Sequence, residues 1–154
     1  FALSKTFSPV FGYKELEAIF GDRRPESAKE LEEAVRAVRA RKLPDPKVLP
    51  NAGSFFKNPV VTRTKMLHLL EETPSLVSYP LGGARAKIAA GWLIEACGLK
   101  GKRMGQAGVY ERQALILVNY GGATGAEIKD LAEEVARNVK YRFGVELEPE
   151  PVIL

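Results

Sequence analysis

Thiols and imidazoles are nearly missing from this chain. One cysteine, Cys97, and one histidine, His68, stand among 154 residues, which excludes an intrachain disulfide and leaves too few ligands for a cysteine- or histidine-rich metal centre. Both read as packing or surface residues. Long apolar runs are missing too: no stretch approaches the roughly 20 residues that span a bilayer, and the start lacks the charged and apolar regions of a secretory signal. The expectation is a cytoplasmic protein without a membrane partner. Internal repeats and low-complexity tracts are absent.

What is present bounds the fold. With 45% hydrophobic residues the chain can bury one core. The formal charge of +4 is compatible with nucleic acid, a membrane surface or a diphosphate ligand, and charge alone does not choose among them. Basic residues gather in Arg36 to Lys47 and Lys100 to Arg103; the first group lies on and after a helix, where a solvated face accounts for it.

Punctuation residues divide the chain. Residues 1–20 read as an extended leading segment with a Phe-Gly-Tyr turn, and residues 21–154 as the main domain. Ser27 followed by Glu30 forms a capping box, after which Leu31, Ala34, Val35 and Val38 recur at helical spacing up to Pro44. Leu43-Pro-Asp-Pro-Lys47 is a rigid connector. Thr62 to Glu72 predicts a short helix with Met66, Leu67 and Leu70 inward, then turns through Pro74, Pro80 and Gly82-Gly83. Ile88 to Ala96 reads as a buried helix carrying Trp92 in the core and stopped by Gly98, with Gly91 admitting a close neighbour. Ala107 to Tyr110 and Ala114 to Tyr120 predict a hairpin around Glu111-Arg112-Gln113, leaving Gln113 able to reach a ligand. Thr124 and Glu127 cap a last helix with Ile128, Leu131, Val135 and Val139 as its apolar stripe, ending at Gly144. Val145 and Leu147 then alternate with Glu146, Glu148 and Glu150. The order predicts an α+β fold, a small and mostly antiparallel sheet against several helices in one compact domain.

One run concentrates chemistry. Asn51-Ala-Gly-Ser-Phe-Phe-Lys-Asn-Pro59 sets a hydroxyl, an amine and a carboxamide beside two aromatics. As a regular strand it places Ser54 and Phe56 on one face and Phe55 and Lys57 on the other. Gly53 permits close backbone approach, and Pro59 ends the ladder. A serine beside glycine is, taken alone, a small spacer.

NAGSFFKNP, the upstream KLPDPK, AAGWLIEACGLKG, RQALILVN and the terminal LEPE occur in one order over about Phe11 to Glu150. Together they resemble the carboxy-terminal, substrate-binding part of the UDP-N-acetylenolpyruvoylglucosamine reductases, the MurB flavoenzymes of peptidoglycan synthesis. The tyrosine segment and the loops before Lys87 look like the larger subtype. The resemblance implies an oxidoreductase in which NADPH reduces FAD and the reduced flavin passes hydride to UDP-N-acetylglucosamine enolpyruvate, giving UDP-N-acetylmuramate. It implies Ser54 as proton donor, Glu150 as catalytic carboxylate, and Tyr13, Lys42, Asn58 and Gln113 around the substrate. No metal is implied. The family's flavin-binding portion and a further catalytic arginine lie mainly upstream, so the resemblance implies a fragment that does not retain FAD and is inactive alone.

Each of these residues has an ordinary account by itself. Tyr13 reads as a turn tyrosine, Lys42 as a helix-end cation, Asn58 as a residue before proline, Gln113 as a hairpin polar residue and Glu150 as an exposed strand end. Three readings follow: the substrate domain of the reductase, which the joint pattern favours; a sugar-nucleotide binding module without catalysis; and a basic RNA-binding domain stacking bases on Phe55 and Phe56.

Overall fold

The computed structural model describes residues 4–10 and 12–153. Expectations that fall on residues 1–3, on Phe11 in the Phe-Gly-Tyr turn and on residue 154 lie outside the described residues. The chain forms two units, residues 1–44 and 45–154.

In the first unit, Lys14–Phe20 is a helix, α1, where extended chain is expected from the sequence. Its Leu16 and Phe20, four residues apart, share one face and are both buried. Gly21, at φ 58°, closes it. The second helix, α2 (Ala28–Lys42), starts where the capping box predicts: Ser27 Oγ accepts from Glu30 N at 3.2 Å. The Glu30 carboxylate returns to Glu26 N at 2.6 Å and not to the cap residue. Leu31, Ala34 and Val38 are half-buried, but Val35 is exposed. An ion pair from Lys42 to Glu15 ties the helices together.

The second unit holds two antiparallel sheets, so the α+β class stands with its strands divided between them. The larger sheet contains β1 (Asn51–Ser54), β5 (Arg103–Met104), β6 (Ala107–Val109) and β7 (Ile116–Asn119), in the order β1-β7-β6-β5. The smaller contains β2 (Val60–Thr62), β3 (Ser78–Pro80) and β4 (Arg85–Ile88), ordered β2-β4-β3. It occupies sequence that reads as loop and helix start, and it corrects two expectations. Ile88 belongs to a strand, and the following helix α4 runs only over Ala90–Ala96. Helix α3 (Arg63–Glu72) buries Met66 and Leu69 and leaves Leu67 exposed.

Helix α5 (Gly125–Phe143) follows the predicted pattern closely. Thr124 Oγ1 accepts from Glu127 N, the Glu127 carboxylate accepts from Thr124 N at 2.7 Å, and Gly144 at φ 60° ends the helix. Leu131, Val135 and Val139 lie in one core with Phe55, Phe56, Leu93, Ile94, Val109 and Leu117. Each such side chain contributes about 1.5–3 kcal/mol by leaving water. Trp92 joins this core against Phe143, ring centroids 5.8 Å apart.

Candidate active site

The NAGS run is not a regular strand. Asn51 pairs with Val118 and Ser54 with Ile116, so three steps on β1 match two on β7 and one residue is extra. Gly53 absorbs the bulge at φ 77°. Asn51 holds it: its Oδ1 accepts from Gly53 N at 2.9 Å and its Nδ2 donates to Leu49 O at 2.8 Å. The signal for this was in the sequence, since asparagine bonding two residues ahead to a glycine is a common turn device. The bulge breaks the expected alternation after Ser54. Phe55 and Phe56 are both buried, edge to face at 5.2 Å, and Ser54 is left exposed. Both rings are buried, so neither is available to stack a base.

Backbone bonds then gather distant residues. Phe55 N donates to Leu115 O at 2.7 Å, and Glu150 N donates to Phe55 O at 2.8 Å. Lys57 N donates to Glu148 O at 2.9 Å across the antiparallel bridge of Phe56 with Pro149, and the Lys57 ammonium pairs with the Glu148 carboxylate. The tail carrying Glu150 is therefore registered against the residue that follows Ser54. Glu150 is exposed.

Two carboxamides meet on the first turn of α4. Asn58 Oδ1 accepts from Ala90 N at 2.9 Å. Gln113, half-buried in the β6–β7 loop, turns its Oε1 to Leu115 N at 3.3 Å. A Cβ on Gly91 would stand 3.3 Å from that same oxygen, so the close neighbour expected of Gly91 is Gln113 itself, with Leu115 beside it. Ser54, Asn58, Gln113 and Glu150 are thus linked through Phe55, Leu115 and the Ala90–Gly91 turn. The sequence reading missed Leu115 as the hub, because a leucine's backbone role leaves no side-chain signature.

Tyr13 and Lys42 belong to the first unit. Tyr13 begins α1 without a side-chain cap and is exposed. Lys42 ends α2, and its ammonium holds the Glu15 carboxyl below the usual carboxylate range. Cys97 is half-buried, and burial pushes its thiol up, as expected of a packing cysteine. His68 is exposed beside Glu72 at 3.4 Å. Among the described residues no cluster of potential metal ligands occurs, and no helix is long and apolar enough to cross a membrane.

The family model described as "UDP-N-acetylenolpyruvoylglucosamine reductase, C-terminal domain" matches residues 45–154. The chain belongs to this reductase family. That match includes Ser54, Asn58, Gln113 and Glu150, and it leaves Tyr13 and Lys42 outside. The UDP-N-acetylenolpyruvoylglucosamine reductase of Burkholderia multivorans is 50% identical over 158 residues, covering 100% of this chain and 45% of the relative. The reductase of Chromobacterium violaceum is 60% identical over 121 residues, covering 79% of this chain and 36% of the relative. The crystal structure of the Thermus caldophilus reductase (MurB) matches 83% of this chain and 36% of its own at 29% identity, TM-score 0.45. The chain spans less than half the length of these reductases.

Proposed function

We propose that this chain is the substrate-binding and proton-donating part of an FAD- and NADPH-dependent reductase that converts UDP-N-acetylglucosamine enolpyruvate to UDP-N-acetylmuramate in the cytoplasm, for peptidoglycan synthesis. The observation that carries this reading is the registration of the Glu150 tail on Phe55, which sets the Glu150 backbone beside the residue that follows Ser54, with both Ser54 and Glu150 exposed. Both residues are exposed, which is compatible with a flavin held by another part of a full-length reductase. FAD, when bound, supplies the hydride that it has taken from NADPH.

Reduction of the enolpyruvyl alkene leaves negative charge on the carbon next to the carboxylate. Ser54 Oγ gives its proton to that carbon, and Glu150 acts as the catalytic carboxylate beside it. A serine hydroxyl is a weak acid, so its contribution depends on being held in place, and the bulge built by Asn51 and Gly53 is what holds it. Asn58 and Gln113 bind the substrate, and the family resemblance adds Tyr13 and Lys42 to that role. No residue of this chain is assigned to FAD.

The test separates the two half-reactions. In the full-length reductase, Ser54→Ala is expected to leave flavin reduction by NADPH unchanged in stopped flow and to slow reoxidation by the enolpyruvyl substrate by about a hundredfold to ten-thousandfold. Normal reoxidation at saturating substrate, with correct product, removes Ser54 from the proton-donor role.

A further inference from the structure

We infer that Lys57 is a positioning residue for Glu150: by pairing with Glu148 it keeps closed the short ladder that carries Glu150. The inference rests on the reading above that Glu150 is the catalytic carboxylate, and it names a side chain outside that set which holds it in place.

Three carboxylates, Glu146, Glu148 and Glu150, stand at a spacing of two. Val145 and Leu147, which alternate with them, are buried, so the glutamates fall on the other side of the extended tail. Two lysines engage the first two. Lys140 Nζ lies 2.7 Å from Glu146 Oε1, and the Lys57 ammonium pairs with the Glu148 carboxylate. Glu150 forms no ion pair among the described residues.

The backbone contributes two bonds at this point. Lys57 N donates to Glu148 O and Glu150 N donates to Phe55 O, on either side of the Phe56–Pro149 bridge. Pro149 has no N–H, and in this pair none is needed, since the flanking residues make both bonds. A slip of one residue would put the proline where the ladder requires a donor and would turn Leu147 out of the core. Proline and leucine thus choose the register, but they do not hold the end of the tail down. Residues 148–150 are exposed, and the Lys57–Glu148 pair is the only ion pair beyond Leu147 among the described residues. An exposed ion pair adds little to the stability of a whole domain. A ladder of two bonds opens locally at small cost, however, and there the same pair decides how often the tail is closed.

Charge exchange in the full-length holoenzyme provides the test. Lys57→Glu and Glu148→Lys each set like charges against each other, and the double variant restores the pair with its charges reversed. Each single variant is expected to melt close to the parent and to leave flavin reduction by NADPH unchanged. Each should slow reoxidation by saturating enolpyruvyl substrate by about tenfold and speed hydrogen exchange of the amides of residues 148–150, read by mass spectrometry. The double variant should return both readouts to within about threefold of the parent. Parent-like reoxidation in both single variants overturns the inference, whatever the exchange shows, as does a double variant no better than the singles. Glu150→Gln separates the two readings. If it reoxidises like the parent, Glu150 is not the catalytic carboxylate and the inference falls with that reading; if it is slow while Lys57→Glu is parent-like, only the inference falls.

Discussion

Gly53 and Gly108 both resist substitution, for different physical reasons. At Gly53 an added Cβ meets nothing within 4 Å, but φ is 77°. At Gly108 the torsion is ordinary, but a Cβ would stand 2.6 Å from Tyr120 Cε2 and 3.2 Å from Lys102 O, and the Tyr120 ring is held by the Arg103 guanidinium 3.4 Å from its centroid. Alanine at either position is expected to lower stability by about 1–3 kcal/mol in urea melts. Asparagine separates the causes, because it tolerates positive φ: Gly53→Asn should recover most of the loss at that site, and Gly108→Asn should be worse than alanine. Equal behaviour at both positions would refute the torsional account of the bulge.

A second residue-scale prediction concerns acid. Glu134 accepts hydrogen bonds from Arg137, Asn138 and Lys102, which bring its pKa from 4.5 to about 2. A depressed carboxylate stabilises the folded state above its unfolded pKa, and that stabilisation is lost as pH falls through the folded value. The window for Glu134 therefore runs from 4.5 down to about 2. Glu127, lowered by the Thr124 backbone N–H, and Glu146, lowered by Lys140, act in the same direction. Urea melts at stepped pH should show the Glu134→Gln variant losing less stability than the parent on acidification. An unchanged acid slope would show that the contacts of Glu134 contribute nothing to the linkage.

At the scale of elements, helix starts with a side-chain cap were legible, while uncapped α1 and the short strands were not. Ser27, Thr62 and Thr124 all cap as side-chain chemistry requires, because a cap is satisfied within three residues of itself. Thr124→Ala should therefore cost about 1 kcal/mol, a fall of about 2–4 °C in Tm. The three-residue β2 and β3 are a different case. Each gains its hydrogen bonds from β4, whose Lys87 faces Val60 on one side and Tyr79 on the other; Val60-Val-Thr has its partner beyond α3 and β3, and Ser78-Tyr-Pro, a hairpin neighbour of β4, ends in a proline that reads as a turn. The candidate site divides along the same line. Its residue types stood in recognisable motifs, but the bulge that exposes Ser54 and the orientation of two amides depend on backbone contacts that no motif spells out.

At the scale of the whole molecule, the large hydrophobic core of the described residues runs from Phe55 to Leu147, within residues 45–154, and the family match covers the same span. That piece should fold on its own and melt cooperatively, since among the described residues the side chains of that core all come from Phe55 to Leu147. Catalysis is a different matter. The chain covers 45% of the length of the Burkholderia multivorans reductase, and in our reading the flavin is held mainly by the remainder. A reaction that needs hydride donor, alkene and Ser54 hydroxyl in register loses its advantage when one of the three is not fixed. The 154-residue chain by itself should therefore purify colourless, bind UDP weakly and oxidise no NADPH in the presence of the enolpyruvyl substrate. A yellow preparation with stoichiometric FAD would move the flavin site onto this chain and overturn the division of labour proposed for it.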